Sequence, residues 1–165
     1  NVAWREPLFL TNDDGIDAEG INQLYSELKN QYEVFVVAPE KEMSGAGSSI
    51  TTKRPLKTSS IKENFVSVNG TPADWVHLAL HEICPFKPDL LLSGINYGAN
   101  MAEDLLYSGT VGAALEGREF GMPSIAISAA AFNQPGADGR IHPNFLSAAK
   151  ISCDVVKKLS QLKIR

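Results

Sequence analysis

The stretch LFLTNDDG, residues 8–15, passes directly from an apolar run to two adjacent carboxylates and a glycine. A short apolar run bounded by turn residues predicts a strand that is buried on both faces. Asp13 and Asp14 at its end repel each other and resist removal from water, which favours a divalent cation beside them. Because Asn, Asp and Gly are also common turn residues, an ordinary solvated turn is the alternative interpretation.

The residues after this strand predict a helix and a second strand. An amphipathic helix is expected over residues 17–30, because apolar residues recur there at the spacing of one helical face: Ile21, Leu24, Tyr25 and Leu28. Residues 33–39, EVFVVAP, form a β-branched run closed by proline, which is typical of another strand buried on both faces. This order of strand, helix and strand predicts a parallel βαβ unit.

The rest of the chain continues the alternation of strands and helices. Thr71 can cap a helix, Pro72 suits its first turn, and Asp74 completes the spacing of a capping box. The other predicted elements are a loop over 40–60 with a β-ribbon around 48–58, strands over 65–68, 88–94 and 123–128, and helices over 72–84, 110–120 and 144–162. The pattern predicts a three-layer α/β fold with a mainly parallel sheet.

The composition is that of an ordinary globular domain. A length of 165 residues predicts one domain, and 44% hydrophobic with 21% charged residues argues against disorder and membrane spans. A net charge of −4 without long basic runs argues against a nucleic-acid polymer as partner.

Cys84 and Cys153 lack CxxC or metal-site spacing, so they are interpreted as free core thiols, and the N-terminus lacks a long apolar signal segment. Both features favour a cytoplasmic location.

Polar clusters follow the predicted strands at the edge of the sheet where ligands gather. Asp13 and Asp14 would be metal ligands there, or one of them a nucleophile or base, and Asn96 and Ser44 could add neutral oxygen ligands. Oxygen donors without Cys or His in the same loops suit Mg²⁺ or Mn²⁺ rather than zinc. Taken singly, Asn96 and Ser44 would be interpreted as loop caps.

A second candidate feature is the predicted helix start at Ser108-Gly109-Thr110. Free backbone amides, a favourable dipole and a glycine that permits close approach predict an anion site there, with a plain helix cap as the alternative. The chain has neither a GxxxxGK[ST] loop nor a GxGxxG motif after the first strand, which leaves a phosphoryl group bridged by a metal. His77 and His81 are four residues apart without a third ligand pattern, so packing or surface roles are favoured.

Five motifs in this order resemble those of the SurE survival-protein family of metal-dependent 5′/3′-nucleotidases. They are TNDDGI at 11–16, Ala38-Pro39 with Ser44-Gly45, VNGTPAD at 68–74, SGINYGAN at 93–100 and YSGTV at 107–111. The resemblance runs from about residue 8 to 130 and, more loosely, through the last helix. It implies a Rossmann-like fold, a divalent metal and hydrolysis of nucleoside monophosphates, with exopolyphosphatase activity in some members.

The resemblance also implies roles for particular residues. It assigns metal ligation to Asp13, Asp14, Ser44 and Asn96, and phosphate contacts to Asn96 and to Ser108-Gly109-Thr110. Asp13 would either attack phosphorus or activate a metal-bound water, and the two roles stay open. Tyr97 stands where His is common in the family, which could alter substrate contacts.

Family members usually continue past the last helix into a strand and an extension that helps to build the oligomer. Because the sequence stops at Arg165, residues 1–165 are predicted to form one domain that lacks this extension, and the expected assembly is a homodimer or homotetramer. A catalytically silent nucleotide-binding or regulatory module on the same fold is the alternative function. A haloacid-dehalogenase-type phosphatase is disfavoured, since it needs an aspartate two residues after its nucleophile and Gly15 occupies that position after Asp13.

Overall fold

The computed structural model describes residues 6–43, 54–131, 135 and 139–162. The strands among them are β1 Pro7–Thr11, β2 Glu33–Pro39, β3 Thr58–Lys62, β4 Phe65–Val68, β5 Leu90–Tyr97 and β6 Ser124–Ala129. The helices are α1 Glu19–Leu28, α2 Pro72–Leu78, α3 Asp104–Tyr107, α4 Gly109–Glu119 and α5 Phe145–Leu162, and a π-helical turn over Ala79–Ile83 continues α2. No helix in these ranges combines the length and hydropathy that a bilayer span requires.

The six strands form one sheet in the order β3-β4-β2-β1-β5-β6. Every neighbouring pair is parallel except the antiparallel pair β3–β4. The chain moves outward from β1 through β2 to β4 and then returns to β5 on the other side of β1. The strand order therefore reverses between β1 and β5, and ligands of open parallel sheets bind at the carboxyl ends of the strands at such a reversal.

Alternating side chains of β1 divide the core into two layers. Leu8 and Leu10 are fully buried in the cluster formed with α1 and α5, and Phe9 is fully buried in the cluster formed with α2 and α4. Helices cover both faces of the sheet, so the predicted three-layer, mainly parallel α/β fold is confirmed.

The predicted start of α2 is confirmed in detail. The Asp74 amide donates a hydrogen bond to Thr71 Oγ1 at 3.3 Å, and the Thr71 amide donates to Asp74 Oδ2 at 2.8 Å. The reciprocal pair satisfies two backbone donors at the helix start.

One turn further along α2, Nε2 of His77 lies 3.0 Å from Oε2 of Glu116 on α4, in agreement with the packing role favoured for His77.

The predicted β-ribbon and the predicted helix over 72–84 can be compared with the structure. The predicted ribbon around 48–58 lies partly outside the described residues, and the antiparallel pairing that the structure shows joins β3 to β4 through a turn with Asn64 at φ +62°. The prediction of one helix over 72–84 is wrong beyond Leu78, because residues 79–83 are wound as a π-helical turn. Apolar spacing alone does not distinguish these two windings.

The strand predicted over 88–94 begins at Leu90 and ends at Tyr97, beyond the expected end. Gly94 has φ +141°, and a Cβ there would lie 2.4 Å from the carbonyl oxygen of Ile127, so only glycine fits. The register of β5 against β6 shifts between Ser93 and Asn96 at this point, and the strand then continues. As a consequence, Asn96 belongs to the sheet rather than to a free loop.

Candidate metal and phosphate site

The loop after β1 is closed by the side chain of Asn12 and is hydrogen-bonded to the segment that follows β2. Asn12 Nδ2 donates to the Gly15 carbonyl at 2.8 Å, and the Gly15 amide donates to Asn12 Oδ1 at 3.3 Å. Gly15 adopts φ +113°, which a residue with a side chain rarely does. The Met43 amide donates to the Asp13 carbonyl at 2.8 Å. The backbone that carries the two carboxylates is therefore fixed from both sides.

Asp13 is held against the first turn of α4. Its side chain is buried, and the Thr110 hydroxyl donates to Asp13 Oδ1 at 2.5 Å. Gly109 packs directly on the carboxylate, since an added Cβ would lie 2.7 Å from Asp13 Oδ2. Ser108 caps the helix by accepting from the Val111 amide at 3.2 Å. The first-turn amides lack intrahelical acceptors and face negative charge favourably.

Asp14 points toward β5 from the same loop. Its Oδ2 accepts the backbone amide of Tyr97 at 2.9 Å. The pKa of Asp14 is raised from 3.8 to about 6, chiefly by burial and to a smaller extent by the charges of Asp13 and Glu42, while the hydrogen bond from the Tyr97 amide opposes the rise. Two adjacent carboxylates in this setting are costly to ionise together unless a cation compensates them.

Asn96 presents its amide on the other wall. The side-chain nitrogen, Nδ2, donates to the carbonyls of Gly98 at 3.0 Å and Tyr97 at 3.4 Å. The described hydrogen bonds therefore use the nitrogen, and Oδ1 is the atom that can ligate a hard cation.

These residues surround one cavity of about 610 Å³. Besides Asp13 and Asp14, three further carboxylates line it, those of Glu19, Glu42 and Asp104, and its described lining includes no Lys or Arg. An entering phosphate would meet five carboxylates and the imidazole of His142, so a bound cation is the natural partner for both the carboxylates and the phosphate. The described residues contain no group of three His, Cys, Asp or Glu placed to hold a metal ion. A cation here would thus take amide, hydroxyl or water oxygens in addition to two carboxylates.

The family profile described as survival protein SurE matches residues 8–164. The chain belongs to the SurE family. A protein of Pseudoalteromonas atlantica named 5′-nucleotidase SurE is 42% identical over 152 residues, which are 92% of this chain and 58% of that protein. The protein of the same name from Vibrio vulnificus is 47% identical over 92% of this chain and 56% of its own length. The chain thus spans less than three fifths of these relatives.

A solved structure shows the same architecture. The crystal structure of the SurE protein from Aquifex aeolicus superposes with a TM-score of 0.83 at 48% identity, covering 93% of this chain and 59% of that one. The family and fold predicted from the ordered motifs are therefore confirmed.

The structure brings most of the predicted SurE-type site together. Asp13, Asp14, Asn96, Ser108 and Gly109 line the same cavity. Thr110, in contrast, is fully buried and does not line the cavity, and its hydroxyl holds Asp13.

Ser44, the remaining predicted ligand, lies outside the described residues. The nearest described residue in sequence is Met43, whose amide binds the Asp13 carbonyl.

Glu42, Asp104 and Phe145 are among the cavity-lining residues that sequence reasoning missed. Glu42 belongs to the polar cluster after β2, and its position at the carboxyl end of a parallel strand could have marked it. Asp104 lies in the four-residue helix α3, which is too short to show a periodic pattern. Phe145 begins α5, and its position beside the cavity depends on how that helix docks.

Proposed function

We propose that this SurE-family chain carries the site of a divalent-metal-dependent phosphomonoesterase that hydrolyses nucleoside monophosphates. The observation that carries the proposal is the position of Asp13 and Asp14 beside the amide-rich start of α4, in a cavity with five carboxylates and no described Lys or Arg. The carboxylate pair favours a cation and the helix start favours an anion, so a cation together with a phosphate satisfies both. The relatives named 5′-nucleotidase SurE support the same reaction.

The donor set fits Mg²⁺ or Mn²⁺. Asp13, Asp14 and Asn96 Oδ1 would hold the ion, with Ser44 as the further proposed ligand. When bound, the ion would neutralise phosphate charge and lower the pKa of a water molecule.

The protein groups then have distinct tasks. The Gly109 amide at the start of α4 would bind a phosphate oxygen, and the preceding Ser108 keeps the helix start in place through its bond with Val111. Asp13 would attack phosphorus or take a proton from the attacking water. In either role Oδ2 would be the reacting atom, because Oδ1 accepts the Thr110 hydroxyl.

The proposal extends to finer properties. The proposed phosphate-binding groups contact the phosphoryl group and not the rest of the substrate. For this reason 3′-monophosphates and the terminal phosphate of polyphosphate are proposed as additional substrates. Assembly as a homodimer or homotetramer and a cytoplasmic location stay predictions.

The test is phosphate release from a panel of 5′- and 3′-nucleoside monophosphates and polyphosphate, with EDTA, Mg²⁺ or Mn²⁺. Asp13→Asn should lower kcat by at least ~100-fold, the range typical of losing a reacting acid–base group. Asp17→Asn is the matched control, because it removes the same charge from an exposed residue that does not line the cavity. Undiminished activity in EDTA or an unchanged kcat in Asp13→Asn would refute the proposed site, and Mn²⁺ binding without any phosphate release would favour a silent module.

A further inference from the structure

The cavity is larger than a metal ion and a phosphate require, and aromatic rings stand at its rim. Tyr97, the last residue of β5, lines the cavity and is 52% exposed. Its backbone amide donates a hydrogen bond to Asp14 Oδ2 at 2.9 Å, so the residue that carries this ring is in direct contact with the carboxylate pair. In a nucleoside monophosphate, one ribose separates the phosphate from the base, and Tyr97 lines the same cavity as Ser108 and Gly109 at the proposed phosphate site.

The ring of Tyr97 is fixed before any ligand arrives. Its hydroxyl donates to the Ile141 carbonyl at 2.7 Å. The ring meets His142 edge to face with centroids 6.4 Å apart, and Phe145 in a tilted contact at 6.3 Å. The backbone is held by its pairing with Ala129 on β6. A half-exposed aromatic ring held in this way can bind a flat ligand with little loss of its own freedom.

We propose that the ring of Tyr97 is the platform on which the nucleobase of the substrate stacks. This inference rests on the proposed nucleotidase function and names the residue that makes a nucleotide a better substrate than a simple sugar phosphate. Stacking uses the π-face that every base shares, and it contributes roughly 5- to 150-fold in affinity per base. The platform therefore accepts all bases.

Tyr107 is the competing ring at the rim. It is 72% exposed and ends the four-residue helix α3. Tyr97 is favoured because its ring has three described contacts that hold it in place. The two assignments predict that different substitutions weaken base binding, at Tyr97 or at Tyr107, so an experiment that compares these variants separates them.

The experiment compares kcat/KM for AMP with kcat/KM for ribose 5-phosphate, which has the same phosphoester and no base, at saturating Mn²⁺. Tyr97→Ala should lower the ratio of the two values at least ~5-fold, whereas Tyr97→Phe, which keeps the ring, should stay within ~2-fold of the wild-type ratio. Leu106→Ala is the control, because Leu106 is 80% exposed on α3 and does not line the cavity. Tyr97→Leu provides a second ring-free variant should Tyr97→Ala fold poorly.

A binding measurement separates the platform from the reaction. Adenosine, which has a base and no phosphate, is titrated calorimetrically into the wild type, Tyr97→Leu and Tyr107→Ala. Weaker binding by Tyr97→Leu alone supports the platform even if the wild type releases no phosphate, a result that would refute only the proposed function. An unchanged substrate ratio in both ring-free variants, or a loss of binding in Tyr107→Ala alone, overturns the assignment to Tyr97.

Discussion

Replacing Asp14 by asparagine should stabilise the metal-free protein at neutral pH, although it removes a proposed metal ligand. Burial raises the pKa of this carboxyl group from 3.8 to about 6, with the Tyr97 hydrogen bond opposing the rise. A group whose pKa is higher in the folded state favours folding below its unfolded pKa, and this contribution is lost as the pH rises through the folded value. Metal-free protein should therefore lose stability between about pH 4 and pH 6.

The size of the effect follows from the shift. One pKa unit corresponds to about 1.4 kcal/mol, so a shift of about two units sets an upper limit near 3 kcal/mol. Because the carboxylate of Asp14 is partly exposed and solvent screens it, roughly 1–2 kcal/mol is the expected gain at pH 7.5. The asparagine oxygen can still accept the Tyr97 amide, so the substitution removes the charge and keeps the hydrogen bond.

The assay is urea unfolding after dialysis against EDTA, at pH 5 and pH 7.5. With a typical urea m-value of about 2 kcal/mol/M, Asp14→Asn should raise the midpoint by about 0.5–1 M at pH 7.5 and by roughly half as much at pH 5, which lies between the unfolded and folded pKa values. Asp17→Asn removes the same charge from an exposed position and should change stability by less than about 0.5 kcal/mol at either pH.

Two results would refute this reasoning. One is an Asp14→Asn variant that is no more stable than the wild type at pH 7.5, and the other is a difference that is the same at both pH values. In saturating Mn²⁺ the order should reverse, because a ligand at 100 times its Kd stabilises the wild type by about 2.7 kcal/mol and the variant binds it less well.

Three further substitutions test the backbone around the site. Gly109→Ala would place a Cβ 2.7 Å from Asp13 Oδ2, so kcat for AMP should fall at least ~10-fold. Thr110→Val removes the hydroxyl that holds Asp13 and should lower the free energy of unfolding by roughly 1–2 kcal/mol as well as kcat, whereas Thr110→Ser should retain most of both. Ala102 has φ +53°, so Ala102→Gly should raise the free energy of unfolding in urea by roughly 0.5–1 kcal/mol and leave kcat unchanged.

Each of these predictions has an outcome that contradicts it. An unchanged kcat in Gly109→Ala would mean that the contact with Asp13 does not matter for turnover. If Thr110→Ser is as impaired as Thr110→Val, the hydroxyl is not the group that acts. A lower urea midpoint for Ala102→Gly would show that the left-handed conformation is not strained.

Local signals in the sequence were sufficient where chemistry between near neighbours decides the structure. The capping box at Thr71 and Asp74 needs only residues three positions apart, and both of its hydrogen bonds form. The apolar run before Asp13 needs only its own composition to predict a central strand, and β1 lies in the middle of the sheet. The ends of parallel strands then bring Asp14 and Asn96 to one cavity without further information.

Features that depend on distant contacts could not be predicted. The extension of β5 to Tyr97 requires the close approach of Gly94 to the Ile127 carbonyl, a residue 33 positions later. The motif predicts a phosphate contact by Thr110, but the packing of α4 turns the Thr110 hydroxyl to Asp13. Periodicity describes which face of an element is apolar and does not report these tertiary contacts.

The pairing of β5 with β6 ties the rigidity of the site to the edge of the described sheet. Tyr97 and Gly98 are held from one side by Ala129, the last residue of β6, and the same Tyr97 amide binds Asp14. Edge strands open locally with smaller free energies than central ones, so brief separation of β6 would loosen Asp14 without unfolding β1. In hydrogen exchange, the Tyr97 and Gly98 amides should therefore exchange faster than those of Phe9 and Leu10. The local opening rate of one outer strand then limits how long the site stays assembled.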